Sequence, residues 1–350
     1  MSTVKQRFVG FIATLSMAAL ILDAQTALDS AKEAIDLCIS VLIPSLFPFF
    51  ICSYLLTSAA SGGLRIMKPL CLLLRIPSGS EAILAVGLLG GYPAGAQAIA
   101  TACSTGALDR NCGRRMLAFC NNAGPAFFFG IGMQIFRDVR ICLICWLIHI
   151  SGALLVGILT PGDHHSPHLP IEATPITLTL ALQKALRTMA AVCGWVVIMR
   201  IFMGLLEHWL LWRLSPAVGS ILCGILELSS GCCSLIENSD IGVAFILFSA
   251  YTAFGGICVW LQTLSVTANH IHIAAYLPGK ITHTAISILF AWPLQFFLGE
   301  QIRCIVPVWI LLPCILWCVY YSFFFVKRKI PVEITGNMVY NQANASGGLS

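Results

Sequence analysis

Four short segments place polar or glycine-rich residues inside long apolar stretches, and chemistry is expected there. The first is Gly90-Gly91-Tyr92-Pro93-Ala94-Gly95-Ala96-Gln97. Pro93 has no N–H and disfavours a helical Tyr92, so this segment predicts a broken helix. The half-helix that begins around Gly95 to Gln97 would offer N–H donors to a polar or anionic ligand. A tight packing turn of small residues is the alternative.

The second segment, Asn121-Asn122-Ala123-Gly124-Pro125, brings two carboxamides into an apolar stretch. Buried amides are costly unless they are hydrogen-bonded, and each offers donors and an acceptor. The pair could therefore bind a base, a sugar hydroxyl or an amide. In the alternative interpretation, one amide caps the broken helix and the other bonds to a neighbouring helix.

A carboxylate marks the third segment, Glu227-Leu228-Ser229-Ser230-Gly231. An ionisable residue within a membrane segment is a functional-site hypothesis by default. Glu227 could bind a cation, carry a proton or bond to a ligand; a neutral carboxyl bonded to backbone is the alternative. The fourth, less polar segment is Tyr251-Thr252-Ala253-Phe254-Gly255-Gly256. The predicted ligand-binding residues are Gly91, Tyr92, Pro93, Gly95, Gln97, Asn121, Asn122, Glu227, Ser229, Ser230, Gly231 and Tyr251.

The positions of the other reactive side chains indicate ordinary structural roles. Most of the 16 cysteines lie in apolar runs, where they behave as small apolar residues, and the Cys142/Cys145 pair lacks the further ligands that zinc needs. The histidines at 164, 165, 168, 270 and 272 are interpreted as solvated loop residues. Arg200 could pair with Glu227 or with a substrate anion, or it could reach outward with Glu207 and His208. We therefore expect no metal, no cofactor and no enzyme activity, since no catalytic motif is present.

Composition identifies the environment of these segments. Of 350 residues, 58% are hydrophobic and only 10% charged, and the mean hydropathy is +0.88. Soluble domains carry about 25% charged residues. The chain is therefore predicted to be an all-α polytopic membrane protein, with the lipid bilayer as its surroundings. The 20 Lys and Arg residues are scattered in short loops, which indicates topology signals and no nucleic-acid partner.

About eight membrane spans and two interrupted stretches are predicted from the apolar runs. The spans are residues 8–28, 35–60, 113–135, 139–160, 185–210, 241–267, 282–299 and 304–326. The first could also be a signal peptide, but Asp23 and Gln25 are poor cleavage-site residues. The interrupted stretches are residues 80–108 and 214–237. A disordered cytoplasmic tail is predicted for residues 330–350.

The distribution of basic residues predicts how the interrupted stretches are threaded. If both are re-entrant hairpins that enter from opposite sides, most Lys and Arg residues, Lys280 among them, fall on the cytoplasmic side. Both termini are then cytoplasmic. A full crossing by residues 80–108 would place residues 65–75 and 110–115 on opposite sides and weaken this bias.

The same threading exposes an inverted repeat, in which a long helix, a broken hairpin and a broken helix occur twice. Val86-Gly87-Leu88-Leu89 corresponds to Cys223-Gly224-Ile225-Leu226, 137 positions later. Interrupted segments at matching places in two halves point to a transporter's binding site. The predicted divisions are an N-terminal helix (1–30), a first repeat (35–160), a second repeat (176–280), C-terminal helices (281–329) and the tail (330–350).

At these motifs the chain resembles a known family. Gly91-Tyr92-Pro93-Ala94-Gly95-Ala96, Phe119-Cys120-Asn121-Asn122-Ala123-Gly124-Pro125 and Leu226-Glu227-Leu228-Ser229-Ser230-Gly231 are similar to motifs of the YlbJ-type sporulation integral membrane proteins. Those proteins carry the nucleoside-recognition, or Gate, domain, which is related to segments of concentrative nucleoside transporters. This chain departs from the pattern at Ala123, where Ser is expected, and in its many cysteines. The resemblance implies an endospore-forming bacterial source, a role in spore development and the inverted-repeat hairpin fold.

Together these observations predict a transporter-like protein that moves a small polar solute, nucleoside-like in one interpretation, across a bacterial cell membrane with or without a coupling ion. A non-transporting sporulation scaffold or a channel subunit is the alternative. The expected partners, besides lipid, are further copies of the chain or other sporulation membrane proteins. A polar central cavity between the hairpins would favour transport, and a dry, packed interface would favour the scaffold.

Overall fold

The computed structural model describes residues 3–59, 65–161, 176–210, 215–238, 240–267 and 270–297. Within these ranges every regular element is a helix and none is a strand, which confirms the predicted all-α class. The predicted span 304–326, the tail 330–350 and the histidines at 164, 165 and 168 lie outside the described residues.

Sixteen α-helices follow one another along the described chain. They are α1 (Thr3–Leu22), α2 (Ala24–Leu37), α3 (Ile43–Ala59), α4 (Lys68–Leu73), α5 (Glu81–Leu89), α6 (Ala94–Ser104), α7 (Arg110–Leu117), α8 (Pro125–Phe136), α9 (Val139–Leu159), α10 (Leu178–Trp209), α11 (Pro216–Leu226), α12 (Leu228–Cys233), α13 (Leu235–Asn238), α14 (Ile241–Phe254), α15 (Gly256–Thr267) and α16 (Tyr276–Leu294). A π-helical turn, Cys38–Leu42, joins α2 to α3, and short 3-10 turns lie at Arg65–Met67, Ile273–Ala275 and Gln295–Phe297.

Three helical segments of the described chain are long and apolar enough to cross a membrane. They are Val139–Leu159, Leu178–Trp209 and Ile241–Thr267, the last of which contains the break between α14 and α15. The pair Gly10–Leu22 and Ala24–Leu42 passes the same criterion only if it counts as one span, because the two helices meet at an angle of 98°. The other predicted spans within the described residues are covered by shorter or less apolar helices.

The bend near residue 23 corrects the predicted first span, which ran from residue 8 to residue 28. Helix α1 ends at Leu22, and the carboxylate of Asp23 accepts a hydrogen bond from the backbone N–H of Thr26, 3.4 Å away, as the N-cap of α2. An N-cap side chain satisfies N–H groups that the first turn of a helix leaves free. Asp23 therefore starts a new helix that runs in a different direction. Hydropathy averaged along the sequence does not detect such a change of direction.

Both interrupted stretches fold back on themselves as helical hairpins. In the first hairpin, α5 and α6 pack so closely that a Cβ atom on Gly95 would lie 2.8 Å from the Cα atom of Gly87. In the second hairpin, a Cβ atom on Gly231 would overlap the Cα atom of Gly224. Small residues allow this close approach of two helix backbones.

One arginine joins three chain segments at the same end of the helical bundle. The Arg115 guanidinium on α7 is buried and donates to the carbonyl oxygens of Arg75 and Thr160, each 3.1 Å away, of Gly157, 3.0 Å away, and of Leu74. The end of α9 and the segment that follows α4 therefore lie beside α7. The main apolar core packs next to this end and includes Met116, whose side chain is fully buried.

Candidate functional site

The tip of the first hairpin is the non-helical turn between Leu89 and Ala94. Gly91 has a φ of +81°, a conformation that glycine adopts readily, and the Tyr92–Pro93 peptide bond is cis. A Cβ atom on Gly124 would lie 2.9 Å from the backbone nitrogen of Gly91. The tip therefore rests directly on residues 118–124, the non-helical segment between α7 and α8, which we call the first break.

Hydrogen bonds from two asparagines stabilise this first break. Asn122 donates to the carbonyl oxygens of Phe119, 2.7 Å away, and Gly87, 3.0 Å away. Asn121 donates to the hydroxyl of Thr263, 2.9 Å away, and accepts from the backbone N–H of Ala96 at 3.3 Å. Both amides are fully buried. Their polar atoms thus satisfy backbone and side-chain groups of the hairpin, the break and α15.

The second hairpin turns at Glu227, which is buried. Its carboxylate accepts hydrogen bonds from the backbone N–H groups of Ser229, 3.0 Å away, and Ser230, 2.6 Å away. Glu227 therefore ends α11 and acts as the N-cap of α12. A negative charge at this position is also favoured by the helix dipole.

The second tip rests on the second break, Gly255 and Gly256, in the same way as the first tip rests on the first. A Cβ atom on Gly256 would lie 3.2 Å from the backbone nitrogen of Leu228. Leu228 follows Gly91 by 137 positions, and Gly256 follows Gly124 by 132. In each half of the chain a hairpin tip therefore packs against a helix break that follows it at a similar distance in sequence: Gly124 follows Gly91 by 33 positions, and Gly256 follows Leu228 by 28.

The two halves meet around a small central cavity. The Tyr92 hydroxyl at the first tip donates to the carbonyl oxygen of Thr252, 3.1 Å away and just before the second break. The cavity is lined by Leu42, Leu46, Gly91, Tyr92, Ala123, Gly124, Phe127, Val192, Val196, Glu227, Leu228, Ser229, Val259 and Gln262. Its volume of about 40 Å³ holds a few water molecules, since one water needs roughly 10–15 Å³ by this measure.

A second cavity, of about 300 Å³, shares the lining residue Val196 with the first. Its lining residues are Glu33, Ala34, Leu37, Val196, Arg200, Glu207, Cys223, Ser230, Cys233 and Ser234. Arg200 lies between two carboxylates, 2.6 Å from Glu33 and 3.2 Å from Glu207. This volume lies at the lower end of the range of ligand pockets, roughly 300–1,000 Å³.

The predicted site residues divide into those that line a cavity and those bonded elsewhere. Gly91, Tyr92, Glu227 and Ser229 line the central cavity, and Ser230 lines the larger one. Pro93 lies in the first tip, Asn121 and Asn122 lie in the first break, and Gly95 and Gly231 lie at the close helix contacts of the two hairpins. Gln97 accepts from the hydroxyls of Tyr54, 2.7 Å away, and Thr188, 3.2 Å away. Tyr251 donates to the carbonyl oxygen of Ser220, 3.1 Å away.

Two expectations about charged residues have clear structural outcomes. Arg200 pairs with Glu207 and Glu33 and has no ion pair with Glu227 among the described residues. His208, which was expected near Arg200, instead lies 2.6 Å from the carboxylate of Asp23.

Lys280 is a polar residue of this region that its sequence position does not reveal, because it falls among the basic residues predicted for the cytoplasmic side. In the structure Lys280 is only 1% exposed, so it lies within the packed protein. Its ammonium donates to the Tyr92 hydroxyl, 2.8 Å away, and to the side-chain oxygen of Asn122, 3.3 Å away. The available signal was its place in the apolar segment that forms α16, one turn before His283. Position relative to a predicted span end cannot reveal such burial.

The described residues contain no group of three His, Cys, Asp or Glu side chains arranged to hold a metal ion. Cys142 and Cys145 are both buried in α9, where Cys145 contacts Ser249. His272 accepts from the backbone N–H of Ala274, 3.2 Å away, at the start of a 3-10 turn.

Helical structure, long apolar helices and a buried polar centre define the chain as an integral membrane protein. It is similar to the sporulation integral membrane protein YlbJ of Bacillus subtilis (strain 168), with 23% identity over 333 aligned residues that cover 79% of this chain and 80% of the relative. This similarity confirms the resemblance to the YlbJ-type proteins. No protein-family model matches the chain, and no solved structure matches it.

Proposed function

We propose that the protein carries a small polar solute across a bacterial cell membrane and binds it at the central cavity. The observation that carries this proposal is the convergence of both hairpin tips and the first break on one cavity, with the second break packed against the second tip. Broken helices within a bilayer are tolerated only where protein or a watery cavity satisfies their backbone groups. Paired broken segments at corresponding places in two halves are typical of transporter binding sites.

The proposed membrane arrangement has about eight spans, two re-entrant hairpins that enter from opposite sides, and both termini in the cytoplasm. Residues 35–160 and 176–280 are its two inverted halves. The contacts of Arg115 support this arrangement, because they bring residues 74–75 and 115 to one end of the bundle. The similar spacing of the two tip-and-break contacts supports the repeat.

The larger cavity is the proposed entry route. It shares the lining residue Val196 with the central cavity, and its polar lining includes Arg200, Glu207 and Ser230. These groups offer both donors and acceptors to a polar solute. The central cavity of about 40 Å³ corresponds to a closed state, and binding a solute of nucleoside size requires the hairpin tips to move apart.

A role in spore development is part of the same proposal, because the relative's name describes a sporulation integral membrane protein. The nucleoside-like solute follows only from the resemblance of the motifs to the Gate domain. We further propose that the chain has no enzyme activity. In the membrane it acts by itself, as a homo-oligomer or together with other sporulation membrane proteins.

One observation favours the alternative function of a non-transporting scaffold or channel subunit. The amides of Asn121 and Asn122 are fully used within the protein, and the central cavity is small. A scaffold would keep the tips and breaks packed in this way permanently. The two functions therefore differ in whether the central cavity opens.

Uptake by the purified chain in proteoliposomes tests the proposal, with radiolabelled nucleosides and small spore solutes as probes. Transport predicts saturable uptake of at least one probe, which Val196→Phe reduces by adding bulk at the residue that lines both cavities. Ile198→Phe is the matched control, because Ile198 lies on the same helix and is 59% exposed. Folded protein that takes up no probe above empty liposomes contradicts transport and supports the scaffold.

A further inference from the structure

Three basic side chains lie close together in the protein interior and form a group that the proposed solute site does not use. They are Lys280 and His283 on α16 and His149 on α9, each no more than 1% exposed. We propose that these three residues form one proton-binding site, in which a single proton is held by one of the three groups at a time. Its ligand is the proton itself.

The geometry places the three groups along one side of α16. Lys280 and His283 are three positions apart and so lie on neighbouring turns of the same helix face. The His283 ring donates through Nε2 to the carbonyl oxygen of His149, 2.8 Å away. The two imidazole rings are tilted against each other with their centres 4.6 Å apart.

Free polar atoms in this cluster indicate unused capacity to bind a proton. Among the described residues, both ring nitrogens of His149, Nδ1 of His283 and Oγ of Ser287 are buried without a hydrogen-bond partner. Buried polar atoms are nearly always bonded, so each exception calls for an explanation. A proton that moves between basic groups, with bound water, would use these atoms.

The surroundings limit the cluster to one positive charge. The helices with the most extensive contacts to α16 in the described chain are α7, α9 and α14, and none of the four contains Asp or Glu. The first hairpin contacts Lys280 through its tip, and the only carboxylate of that hairpin, Glu81, lies at the opposite end of α5. The other titratable groups of α7, α9 and α14 are Arg110, Cys112, Arg114, Arg115, Arg140, Cys142, Cys145 and Tyr251. Those near Lys280 are Tyr92, Cys120 and Tyr276. With no carboxylate in these helices to balance them, two adjacent buried cations would repel each other strongly.

Lys280 is the member best placed to hold the proton. Its ammonium bonds to Tyr92 and Asn122 and lies 4.7 Å from the ring centre of Tyr92 and 5.7 Å from that of Tyr276. Aromatic faces attract a desolvated cation. The charged ammonium thus connects the first hairpin tip to the first break.

Proton movement would change this connection. When the proton passes from the ammonium to the His283–His149 pair, Lys280 becomes a neutral amine and one imidazole becomes an imidazolium. The amine attracts the Tyr92 ring and the Asn122 oxygen less strongly, so the tip can leave the break. In this form the inference rests on the proposed transport function, and the proton is its coupling ion.

Nitrogen-15 NMR of histidine-labelled protein in lipid nanodiscs tests the proton site without any transported solute. The signals of the two rings are assigned from His149→Gln and His283→Gln, and spectra are recorded from about pH 5 to pH 8, where histidines ordinarily titrate. In the wild type, the nitrogen-15 chemical shifts of both rings should be those of neutral imidazole at neutral pH. In Lys280→Met, the ratio of protonated to neutral imidazole should rise about tenfold or more, because a like charge nearby disfavours protonation.

Two further variants keep the test decisive. Lys184→Met removes an exposed lysine of α10 and should leave both rings unchanged. If Lys280→Met does not fold, Tyr92→Phe serves instead: it keeps the ring, removes the hydroxyl that accepts from Lys280 and donates to Thr252, and should produce a smaller change in the same direction. Rings that are already protonated in the wild type, or that respond to neither Lys280→Met nor Tyr92→Phe, overturn the proposal. The result stands or fails independently of solute uptake.

Discussion

The hydroxyl of Tyr92 donates a hydrogen bond of 3.1 Å to the backbone carbonyl oxygen of Thr252, 160 positions later in the chain. The same hydroxyl accepts a hydrogen bond from Lys280. One phenol therefore joins the first hairpin tip, the second broken helix and α16. Its two bonds, with the bond from Asn121 to Thr263, are polar links between the halves of the chain around the central cavity.

Removing this hydroxyl should destabilise the protein. Tyr92→Phe leaves the buried Lys280 ammonium without one acceptor and the Thr252 carbonyl without its donor, which costs about 1–3 kcal/mol of unfolding free energy. Denaturant unfolding in detergent micelles measures the loss. Thr14→Val, which removes an exposed side-chain bond to Gly10, is the control and should change little. A Tyr92→Phe protein as stable as the wild type would show that the link is unimportant.

Close packing of the first hairpin predicts a strong effect of one methyl group. In Gly95→Ala the new Cβ would overlap the carbonyl oxygen of Cys120 and crowd Gly87, so we expect a loss of about 1–3 kcal/mol. Gly194→Ala is the matched control, because nothing lies within 4 Å of its Cβ position in α10. That change should stabilise the helix by about 0.5–1 kcal/mol. Equal thermal unfolding midpoints for the two variants would contradict the described hairpin contact.

Glu227 is predicted to act through the cap that it provides to α12. Glu227→Gln keeps an acceptor oxygen but removes the charge from the helix N-terminus, which should cost about 0.3–1 kcal/mol. Glu227→Ala removes the cap entirely and should cost about 0.5–2 kcal/mol. Unfolding of both variants in the same detergent gives the order of the losses. If Glu227→Gln is the more damaging of the two, the capping role is wrong.

Arg200 should stabilise the larger cavity only modestly, since its partners are partly exposed. Its side chain is 23% exposed, and those of Glu33 and Glu207 are 60% and 39% exposed. Arg200→Met should cost about 1 kcal/mol at low salt and less at high salt, because such pairs are screened. Lys32→Met, which breaks a more exposed pair with Asp29, is the control. A loss that does not depend on salt would argue against an electrostatic role.

The helix breaks could be predicted from the sequence because local backbone chemistry determines them. Helix α5 ends at Leu89, just before Gly90-Gly91-Tyr92-Pro93, and α11 ends at Leu226, just before Glu227. Glycine, proline and a capping carboxylate act within a few residues of their own position. Their effect is therefore visible without knowledge of the tertiary structure.

Lys280 and the pair His149 and His283 could not be predicted, because their environment depends on which helices meet. The charge count assigned Lys280 by its distance from a predicted span, yet packing of α16 against α9 and the first hairpin buries it. Similarly, nothing in the sequence brings His149 to His283, 134 positions apart. Long-range contacts of this kind require the fold.

The most direct test of a solute site that opens to both sides of the membrane is the reactivity of one cysteine in the central cavity. Ala123 lines this cavity and is 2% exposed, and Ala153 is fully buried in the apolar core. Each is replaced by cysteine in a chain without its 16 native cysteines, and small hydrophilic thiol reagents are applied from either side of the membrane. Transport predicts that Ala123→Cys reacts from both sides and Ala153→Cys from neither. An Ala123→Cys protein that is unreactive, or reactive from one side only, would contradict it.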